Sequence, residues 1–324
     1  MKRFLLVTRR ALAWMALTVL CIVLLGFGYE RAQRATSHRA YPPPGTLVEV
    51  EGHRMHLDCE GTGSPTVLLE AGQDVRGSLS WYPIKSDVAA LTRVCAYDRA
   101  GILWSERAPG LRTSPAIAHE LSLLLDEGGE RGPFVMVGHS MGAIHIRNFA
   151  DLNRASISGL VFVDPSHPDQ LDRLPAEMSG GPPALIRGVV KFLNGAGLFR
   201  FVQLGPPTAM PDSINAILAR FRPSSNVGLW AEFEVASESL RSASESSGFG
   251  DLPLVVLTAG AKPSFAPQDL FERTHAVMVE LHQDLAGLST SGVHRIVPDA
   301  AHYIHEDRPD AVVDAIAEVV AAAR

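Results

Sequence analysis

Gly138, Ser140 and Gly142 form a Gly-x-Ser-x-Gly pattern, whose spacing is typical of a serine that acts as a nucleophile. Residues 133–137 before it are apolar enough for a buried strand, and residues 143–150 after it have the composition of a helix. A serine on the sharp turn between such elements holds its hydroxyl clear of the sheet, and the glycines let strand and helix approach closely. The bare pattern also fits an ordinary small-residue turn, so the prediction depends on the flanking strand and helix.

A nucleophilic serine needs three further kinds of group. Its hydroxyl attacks a carbonyl only when a histidine accepts the proton, and a carboxylate must hold that histidine in the right tautomer. Hydrogen-bond donors must also stabilise the negative oxygen that develops in the transition state. Such groups have to be held by a rigid scaffold, and the rest of the sequence predicts one.

Strand-like and helix-like segments alternate along most of the chain. Strands are predicted at residues 46–50, 53–59, 66–70, 93–97, 133–137, 159–163, 254–258 and 293–297. Helices are predicted at residues 82–91, 116–125, 143–150, 268–285 and 309–323. The alternation predicts an α/β fold, in which a mostly parallel sheet of eight strands has helices on both faces.

The alternation stops after the sixth predicted strand, at about residues 165–250. This stretch is rich in proline and has aromatic side chains on helical segments: Phe192, Phe199, Phe201, Phe221, Trp230 and Phe233. Its apolar content is too high for a disordered loop. We therefore predict a helical cap inserted after the sixth strand. Its aromatic residues favour a substrate with an apolar acyl group or a bulky ester.

The first 30 residues differ from the rest of the chain. Four basic residues precede an uncharged apolar run at residues 11–29, which at about 1.5 Å per residue nearly spans a hydrocarbon core of about 30 Å. The basic flank predicts a transmembrane anchor that leaves the remaining chain on the periplasmic or extracellular side. The alternative is a cleaved signal peptide with a poor cleavage site at residues 26–28, followed by secretion.

Residues 31–45 are polar and basic and end in Tyr-Pro-Pro-Pro-Gly, which predicts a semi-rigid, extended linker before a domain at residues 46–324. The net charge of −6 provides no basic surface for nucleic acid. No Cys/His cluster has zinc spacing and no glycine-rich loop fits a phosphate group. We therefore predict neither a metal nor a cofactor.

Three further sequence blocks occur in order along the chain. They are Leu-Glu-Ala-Gly at residues 69–72, Tyr-Asp-Arg-Ala-Gly at 97–101 and Val-Asp-Pro-Ser at 163–166. Together with the Ser140 pattern, they make the chain from about residue 47 to its C-terminus resemble α/β-hydrolase-fold serine hydrolases of the esterase, lipase and lysophospholipase type. The resemblance is closest to the bacterial members that have an N-terminal membrane anchor.

The resemblance implies that His302 is the general base. The family places its catalytic histidine in the loop between the last strand and the last helix, and His302 occupies that loop. His305 in the same loop is expected to form a wall or to enter the helix. His294 lies within a strand and is expected to be structural.

The resemblance implies Asp164, directly after the sixth strand, as the acid. Many relatives place the acid after the strand that follows the cap, but no carboxylate occurs there before Asp269. Asp169 and Asp269 remain the alternatives. A turn aspartate before Pro165 is the simpler interpretation of Asp164.

The resemblance also implies two backbone donors for the oxyanion, the N–H of Met141 and the N–H of Gln73 in the loop after the third strand. The family often has His-Gly where this chain has Ala-Gly at residues 71–72, a change that leaves a backbone donor in place. Asp98 and Arg99 are expected to form a structural ion pair rather than to act in catalysis.

In this fold the strands that contain Cys59 and Cys95 are adjacent, so the resemblance allows a disulfide between them. An even pair of cysteines suits the oxidising compartment that an exported domain would meet. Two free thiols are the other outcome.

These features predict an enzyme that hydrolyses a small-molecule carboxylic ester through an acyl-enzyme intermediate. The same triad also serves amide, thioester and C–C bond hydrolysis and perhydrolysis. Haloalkane dehalogenases and epoxide hydrolases of this type are disfavoured, since they have aspartate where this chain has Ser140. A catalytically silent binding protein that retains the fold is the alternative from another functional class.

Overall fold

Eight strands form one sheet at the centre of this computed structural model, which describes residues 2–175, 177–178, 181–201, 210–245, 248–262 and 267–324. The strands are β1 (Thr46–Val50), β2 (His53–Glu60), β3 (Thr66–Glu70), β4 (Val94–Tyr97), β5 (Phe134–His139), β6 (Ile157–Val163), β7 (Leu254–Ala259) and β8 (Gly292–Val297). Their order is β1-β2-β4-β3-β5-β6-β7-β8. β2 runs antiparallel to β1 and β4, and the other neighbours are parallel.

The helices of the described chain fall into three groups. Those that cover the sheet are α2 (Tyr82–Leu91), α3 (Ser114–Glu127), α4 (Gly142–Asn153), α9 (Gln268–Ala286), α10 (Ile304–Asp307) and α11 (Pro309–Ala322). Those between β6 and β7 are α5 (Gln170–Arg173), α6 (Ala184–Gly195), α7 (Asp212–Glu234) and α8 (Ala236–Ser242). The N-terminal helix is α1 (Lys2–Ala40).

The central strands are apolar because both of their faces are buried. Along β5, Phe134 and Met136 join a core under α3, α4 and α9, whereas Val135 and Val137 join a second core under α2 and α11. Successive side chains of a strand point to opposite faces, so a continuous apolar run fills both cores. The predicted α/β fold with eight mostly parallel strands is therefore confirmed.

The helices between β6 and β7 lie where the cap was predicted. α7 packs on the sheet domain through Ile214, Leu218 and Phe221, which share a core with Ile102 and Trp104. Residues 176, 179–180, 202–209 and 246–247 of the predicted cap lie outside the described residues. The cap is thus an apolar layer placed over the carboxyl ends of the strands, where open α/β sheets bind their ligands.

α1 is longer than the predicted membrane anchor. Residues Val7–Ala40 include a window with a mean hydropathy of 2.3 and are long and apolar enough to cross a membrane, which a signal sequence would also satisfy. The extended linker predicted at residues 31–45 is wrong over most of its length, because the helix continues to Ala40 and only residues 41–45 lie outside regular helix and strand. The polar segment stays helical because it packs against the cap, where Glu30 and Ser37 are buried.

Candidate active site

Ser140 lies on a strained turn between β5 and α4. Its backbone has a φ of +51°, a left-handed conformation that is costly for a residue with a side chain. A Cβ atom on Gly138 would lie 2.6 Å from the Ile146 side chain, and one on Gly142 would lie 2.5 Å from the Glu70 carbonyl oxygen. Both glycines are therefore required for the strand, the turn and the helix to come this close.

Asp164 and His302 meet at the carboxyl edge of the sheet. Asp164 follows β6, has a φ of +42°, and places Oδ2 2.6 Å from Nδ1 of His302 in the loop after β8. The other carboxylate oxygen accepts the backbone N–H of Ala259 at 2.9 Å. Because Nδ1 of His302 donates to the carboxylate, Nε2 is left as the basic nitrogen.

The other candidates for the acid and the base lie elsewhere. Asp169 and Asp269 are exposed, and their carboxylates approach His167 at 3.9 Å and Arg273 at 3.8 Å. His305 is buried beside Trp81, with the two ring centroids 4.6 Å apart. His294 bonds to Thr258 through Nε2 at 2.7 Å. Of these candidates, the structure brings only Asp164 and His302 together.

The charges of the Asp164–His302 pair stabilise each other. Burial by itself lowers the pKa of His302, but the hydrogen bond and the charge of Asp164, with a contribution from Asp74, outweigh it and raise that pKa. Burial by itself raises the pKa of Asp164, but His302 outweighs it and lowers that pKa. Asp164 is therefore an anion at neutral pH and favours the imidazolium that forms when His302 accepts a proton.

His139, which precedes Ser140, supports His302 from behind. Its Nε2 donates to the His302 carbonyl oxygen at 2.9 Å, and the two rings lie 4.6 Å apart. Burial, with the neighbouring His302 and His305, holds the pKa of His139 well below its usual range, so His139 stays neutral. Sequence reasoning missed this role, although a histidine at the end of a buried strand beside the serine was the available signal. Among the described residues Ser140 Oγ makes no hydrogen bond to His302, a contact that is often long in unliganded enzymes.

Gln73 and Met141 line the same cavity as Ser140. Neither backbone N–H donates a hydrogen bond to any other residue in the part of the chain that the structure describes. A Cβ atom on Gly72 would lie 2.7 Å from His139 and 3.2 Å from the Ser140 side chain, so glycine lets the Gln73 loop approach the nucleophile. Two unused donors beside a nucleophile are what an oxyanion hole requires.

Arg99 holds the Gln73 loop and joins it to the cap. Its guanidinium is buried and donates to the carbonyl oxygens of Ala71 and Gly72, both at 2.7 Å. It also pairs with Glu70 at 2.7 Å and with Glu232 of α7 at 2.8 Å. The Arg99 guanidinium thus binds two carbonyl oxygens of the loop and two buried carboxylates, one of which belongs to α7. Arg99 therefore fixes the loop relative to the cap.

The expected ion pair between Asp98 and Arg99 is wrong. Asp98 instead bonds to Nδ1 of His56 at 2.8 Å and accepts the backbone N–H of Ser78 at 2.7 Å. Neighbouring residues at the end of a strand point to opposite sides, so Asp98 and Arg99 serve different networks. Neither residue touches Ser140, in agreement with the structural role that was expected for both.

The cavity beside Ser140 has a volume of about 480 Å³ and a mixed lining. Its walls are Gln73, Ser140, Met141, Ser166, Gln170, Leu171, Met178, Gly181, Arg187, Phe233, Glu234, Ala236, Ser237 and Leu240. Among the aromatic cap residues named from the sequence, Phe233 lines it, whereas Phe221 packs on Trp104 beneath the cap. A larger cavity of about 700 Å³ lies near residues 42–44 and is lined by neither Ser140 nor His302.

Cys59 and Cys95 face each other across β2 and β4, and their Sγ atoms are 2.07 Å apart, as in a disulfide. Glu130 lies beside them and completes a group of metal-ligating residue types. In the disulfide, neither sulfur is a thiolate, so this arrangement does not form a metal site.

A strained serine elbow and a carboxylate–histidine pair at the carboxyl edge of this sheet define an α/β hydrolase. Residues 63–315 match the model of the alpha/beta hydrolase family, so the chain belongs to that family. YqjL of Bacillus subtilis (strain 168), an uncharacterized protein, is 26% identical over 272 residues, which are 84% of this chain and 88% of that protein.

Among the solved structures that match this chain, two illustrate the shared fold. The epoxide hydrolase CorEH matches with a TM-score of 0.59 and 19% identity, over 86% of this chain and 99% of its own. A thermophilic esterase from Thermogutta terrifontis matches with a TM-score of 0.58 and 20% identity, over 86% of this chain and 98% of its own. At this level of identity, the two structures support the fold and leave the substrate open.

Proposed function

We propose that this chain is a serine hydrolase that cleaves carboxylic esters of small molecules through an acyl-enzyme intermediate. The observation that carries the proposal is the Asp164–His302 contact of 2.6 Å at the sheet edge where Ser140 stands on a turn with a φ of +51°. Strain of this kind persists only where the surrounding structure enforces it, and it is concentrated at functional sites.

Each step of the reaction has a residue to perform it. Nε2 of His302 takes the proton from Ser140 as Oγ attacks the ester carbonyl, and the N–H groups of Gln73 and Met141 bind the oxyanion. His302 then protonates the departing alcohol. In the second half, His302 removes a proton from water, which attacks the acyl carbon; His302 then returns the proton to Ser140 Oγ as the carboxylic acid leaves.

Similarity to an epoxide hydrolase does not extend to its chemistry. If Ser140 opened an epoxide, the product would be an alkyl ether on Oγ. An ether has no carbonyl carbon that water can attack, so His302 could not regenerate the serine. Acyl transfer, by contrast, leaves an ester that the same machinery hydrolyses.

The lining of the cavity supports an ester of mixed polarity. Met141, Leu171 and Leu240 offer an apolar wall for the acyl group, and Gln170 and Arg187 offer polar contacts to the rest of the substrate. Cleavage of a series of p-nitrophenyl esters from acetate to decanoate tests this. An optimum between butyrate and octanoate fits the apolar wall, and a rate that does not depend on acyl length would contradict it.

For location, we propose that α1 anchors the enzyme with its catalytic domain on the periplasmic or extracellular side. The basic residues at positions 2–10 and the apolar run after them support this orientation, and a disulfide suits an oxidising compartment. N-terminal sequencing of membrane-bound protein would begin at the first residues. A mature protein that begins after residue 28 would show a cleaved signal instead.

Fluorophosphonate labelling tests whether the site is catalytic at all. Wild-type protein should be labelled and should hydrolyse p-nitrophenyl esters, and Ser140→Ala should lose both properties. Ser237→Ala is the matched control, because Ser237 lines the same cavity and should leave both unchanged. Labelling of the Ser140→Ala variant at the wild-type level would refute the assignment, and an unlabelled wild-type protein would favour a binding protein.

A further inference from the structure

The exposed face of α6 is apolar. Leu185, Val189 and Phe192 follow one another at intervals of four and three residues, so they share one side of the helix, with Ile186 at its border. The exposed fraction is 79% for Leu185, 49% for Val189, and 50% for both Phe192 and Ile186. Asn194 on the opposite side is buried and donates to the Pro223 carbonyl oxygen at 2.8 Å. A surface helix normally turns its apolar stripe to the core, and α6 does the reverse.

These residues belong to a stretch of the chain, residues 178–201, in which exposed apolar side chains are concentrated and which we call the apolar patch. Outside α1, thirteen large apolar side chains of the described residues are exposed, and seven of them lie within residues 178–201. The seven are Met178, Leu185, Ile186, Val189, Phe192, Leu198 and Phe201. Single exposed apolar residues are ordinary, but a concentration of this kind marks an interaction surface.

α1 reaches this patch at the end of its apolar run. Phe27 meets Phe192 edge to face with ring centroids 5.6 Å apart, and Tyr29 stacks on Phe201 at 6.0 Å. A Cβ atom on Gly26 would lie 2.5 Å from the Ala196 carbonyl oxygen, so the two backbones are in direct contact there. The C-terminal end of α6 therefore lies level with residues 26–29, at the C-terminal end of the apolar run of α1.

Among the described residues, α1 and the cap also share polar contacts. Glu30 is buried and pairs with Arg34 and with Arg200, both at 2.5 Å. Arg220 of α7 donates to the Gln33 carbonyl oxygen at 2.8 Å. Contacts on both sides of Glu30 fix the cap to α1, so the position of α6 relative to the apolar run of α1 is fixed as well.

We propose that the exposed face of α6 lies in the outer interface of the membrane that α1 crosses. The proposal rests on the anchor proposed above. An amphipathic helix at this level buries its apolar face at the boundary between headgroups and acyl chains. The sequence from residue 178 to 211 contains no Asp or Glu, so no carboxylate of this stretch opposes contact with anionic headgroups.

This placement has a consequence for the substrate. Arg187 of α6 and Met178 and Gly181 before it also line the cavity at Ser140. In this placement α6 lies between the cavity and the bilayer. Its side with Arg187 faces the cavity, and its side with Leu185 and Val189 faces the bilayer. An ester that partitions into the membrane would reach Ser140 beside α6 without crossing bulk water, which points to an amphiphilic, lipid-derived ester as the class of substrate.

Depth-dependent fluorescence quenching in vesicles tests the proposal on the full chain. Three single-site proteins are labelled with a thiol-reactive fluorophore and reconstituted into phosphatidylcholine and phosphatidylglycerol vesicles that contain lipids with a spin label at different depths. They are the native Cys21, which reports on α1, and V189C and L152C, each in a Cys21→Ser background. Leu152 is the matched control, because it is 59% exposed and lies at the end of α4 remote from Ser140.

The expected result is deep quenching at Cys21, shallow quenching at V189C, and none at L152C. Quenching at Cys21 without any at V189C would overturn the placement of α6 and leave the anchor standing. No quenching at Cys21 would remove the anchor and the proposal with it. Loss of V189C fluorescence that depends on protein density rather than on spin-labelled lipid would show contact between two copies of the chain, and would also overturn the proposal.

Discussion

The two walls of the Ser140 cavity are built in different ways. On the sheet side, Ser140 and Asp164 directly follow β5 and β6 with strained backbone, close glycine contacts surround Ser140, and His302 lies in the loop after β8. On the cap side, the helices are held by long-range ion pairs, of which Arg99–Glu232 and Glu30–Arg200 are buried. In the function proposed above, the sheet side carries out the chemistry, whereas the cap selects the substrate and contacts the membrane.

The largest expected effect concerns the acid on the sheet side. Asp164→Asn should lower kcat by about 10⁴-fold, because an amide at this position no longer holds His302 in the tautomer that leaves Nε2 basic; the magnitude is that known for the corresponding change in a serine protease triad. Asp169→Asn and Asp269→Asn are the matched controls and should be close to wild type. Steady-state kinetics with p-nitrophenyl butyrate measure this, and a severe loss in either control would move the acid to that residue.

The next largest effect is a loss of stability when the contact between the two walls is broken. Arg99→Met should lower the free energy of unfolding by about 3–5 kcal/mol, because Glu70 and Glu232 would be left buried without their partner. Arg295→Ala breaks an exposed pair with Glu318 and should cost about 0–1 kcal/mol. Urea denaturation compares the two. Equal effects would show that the Arg99 network does not join the walls.

A smaller effect is expected on the outer face of the cap. L185E combined with V189E should reduce hydrolysis of an ester dispersed in vesicles by about tenfold, because charges replace apolar contacts with the interface. Hydrolysis of soluble p-nitrophenyl acetate should be unchanged, since neither residue lines the cavity. An equal loss on both substrates would indicate damage to the cap instead of to its contact with lipid.

The smallest effect concerns a carboxylate that sequence reasoning overlooked. His302 must be neutral to act as a base, so kcat/KM should rise with pH through its pKa, which is raised above the usual 6.5. Because Asp74 contributes to that increase, Asp74→Asn should move the acidic limb of the profile to lower pH. Asp126→Asn, at an exposed carboxylate on α3, should leave it in place. If the acidic limb of the pH profile is unchanged in Asp74→Asn, Asp74 does not influence the pKa of His302.

The sequence predicted those parts of the site that depend on local pattern. The strands and the turn at Ser140 follow from apolar runs and from spacing, whereas His302 was chosen through the family resemblance; the structure has these strands, the turn and the loop at the predicted positions. Asp74 and Arg99 were missed as parts of the site because their contacts are distant in the chain. The hydroxyl of Tyr303, 229 residues away, donates to Asp74 at 3.4 Å, and Arg99 pairs with Glu232, 133 residues away.

The prediction of an extended linker was wrong for the same reason, because the contacts that stabilise this segment are distant in the chain. Residues 31–40 are polar and precede a proline run, a composition that favours an extended segment. Their helix is stabilised by partners far away in the chain, such as Arg220, which lies 183 residues from Ser37 and bonds to it at 3.1 Å. No local pattern signals such partners. The contact between α6 and α1 could not be predicted from the sequence for the same reason, although the apolar stripe of α6 is visible in the sequence.

Trapping the acyl-enzyme tests directly whether Ser140 is the nucleophile. Wild-type protein is mixed with p-nitrophenyl butyrate, quenched with acid within milliseconds, digested and examined by mass spectrometry. We expect a butyryl group on the peptide that contains Ser140, formed together with a burst of p-nitrophenol and absent from Ser140→Ala. Steady turnover with no adduct, or with an adduct on another residue, would contradict it.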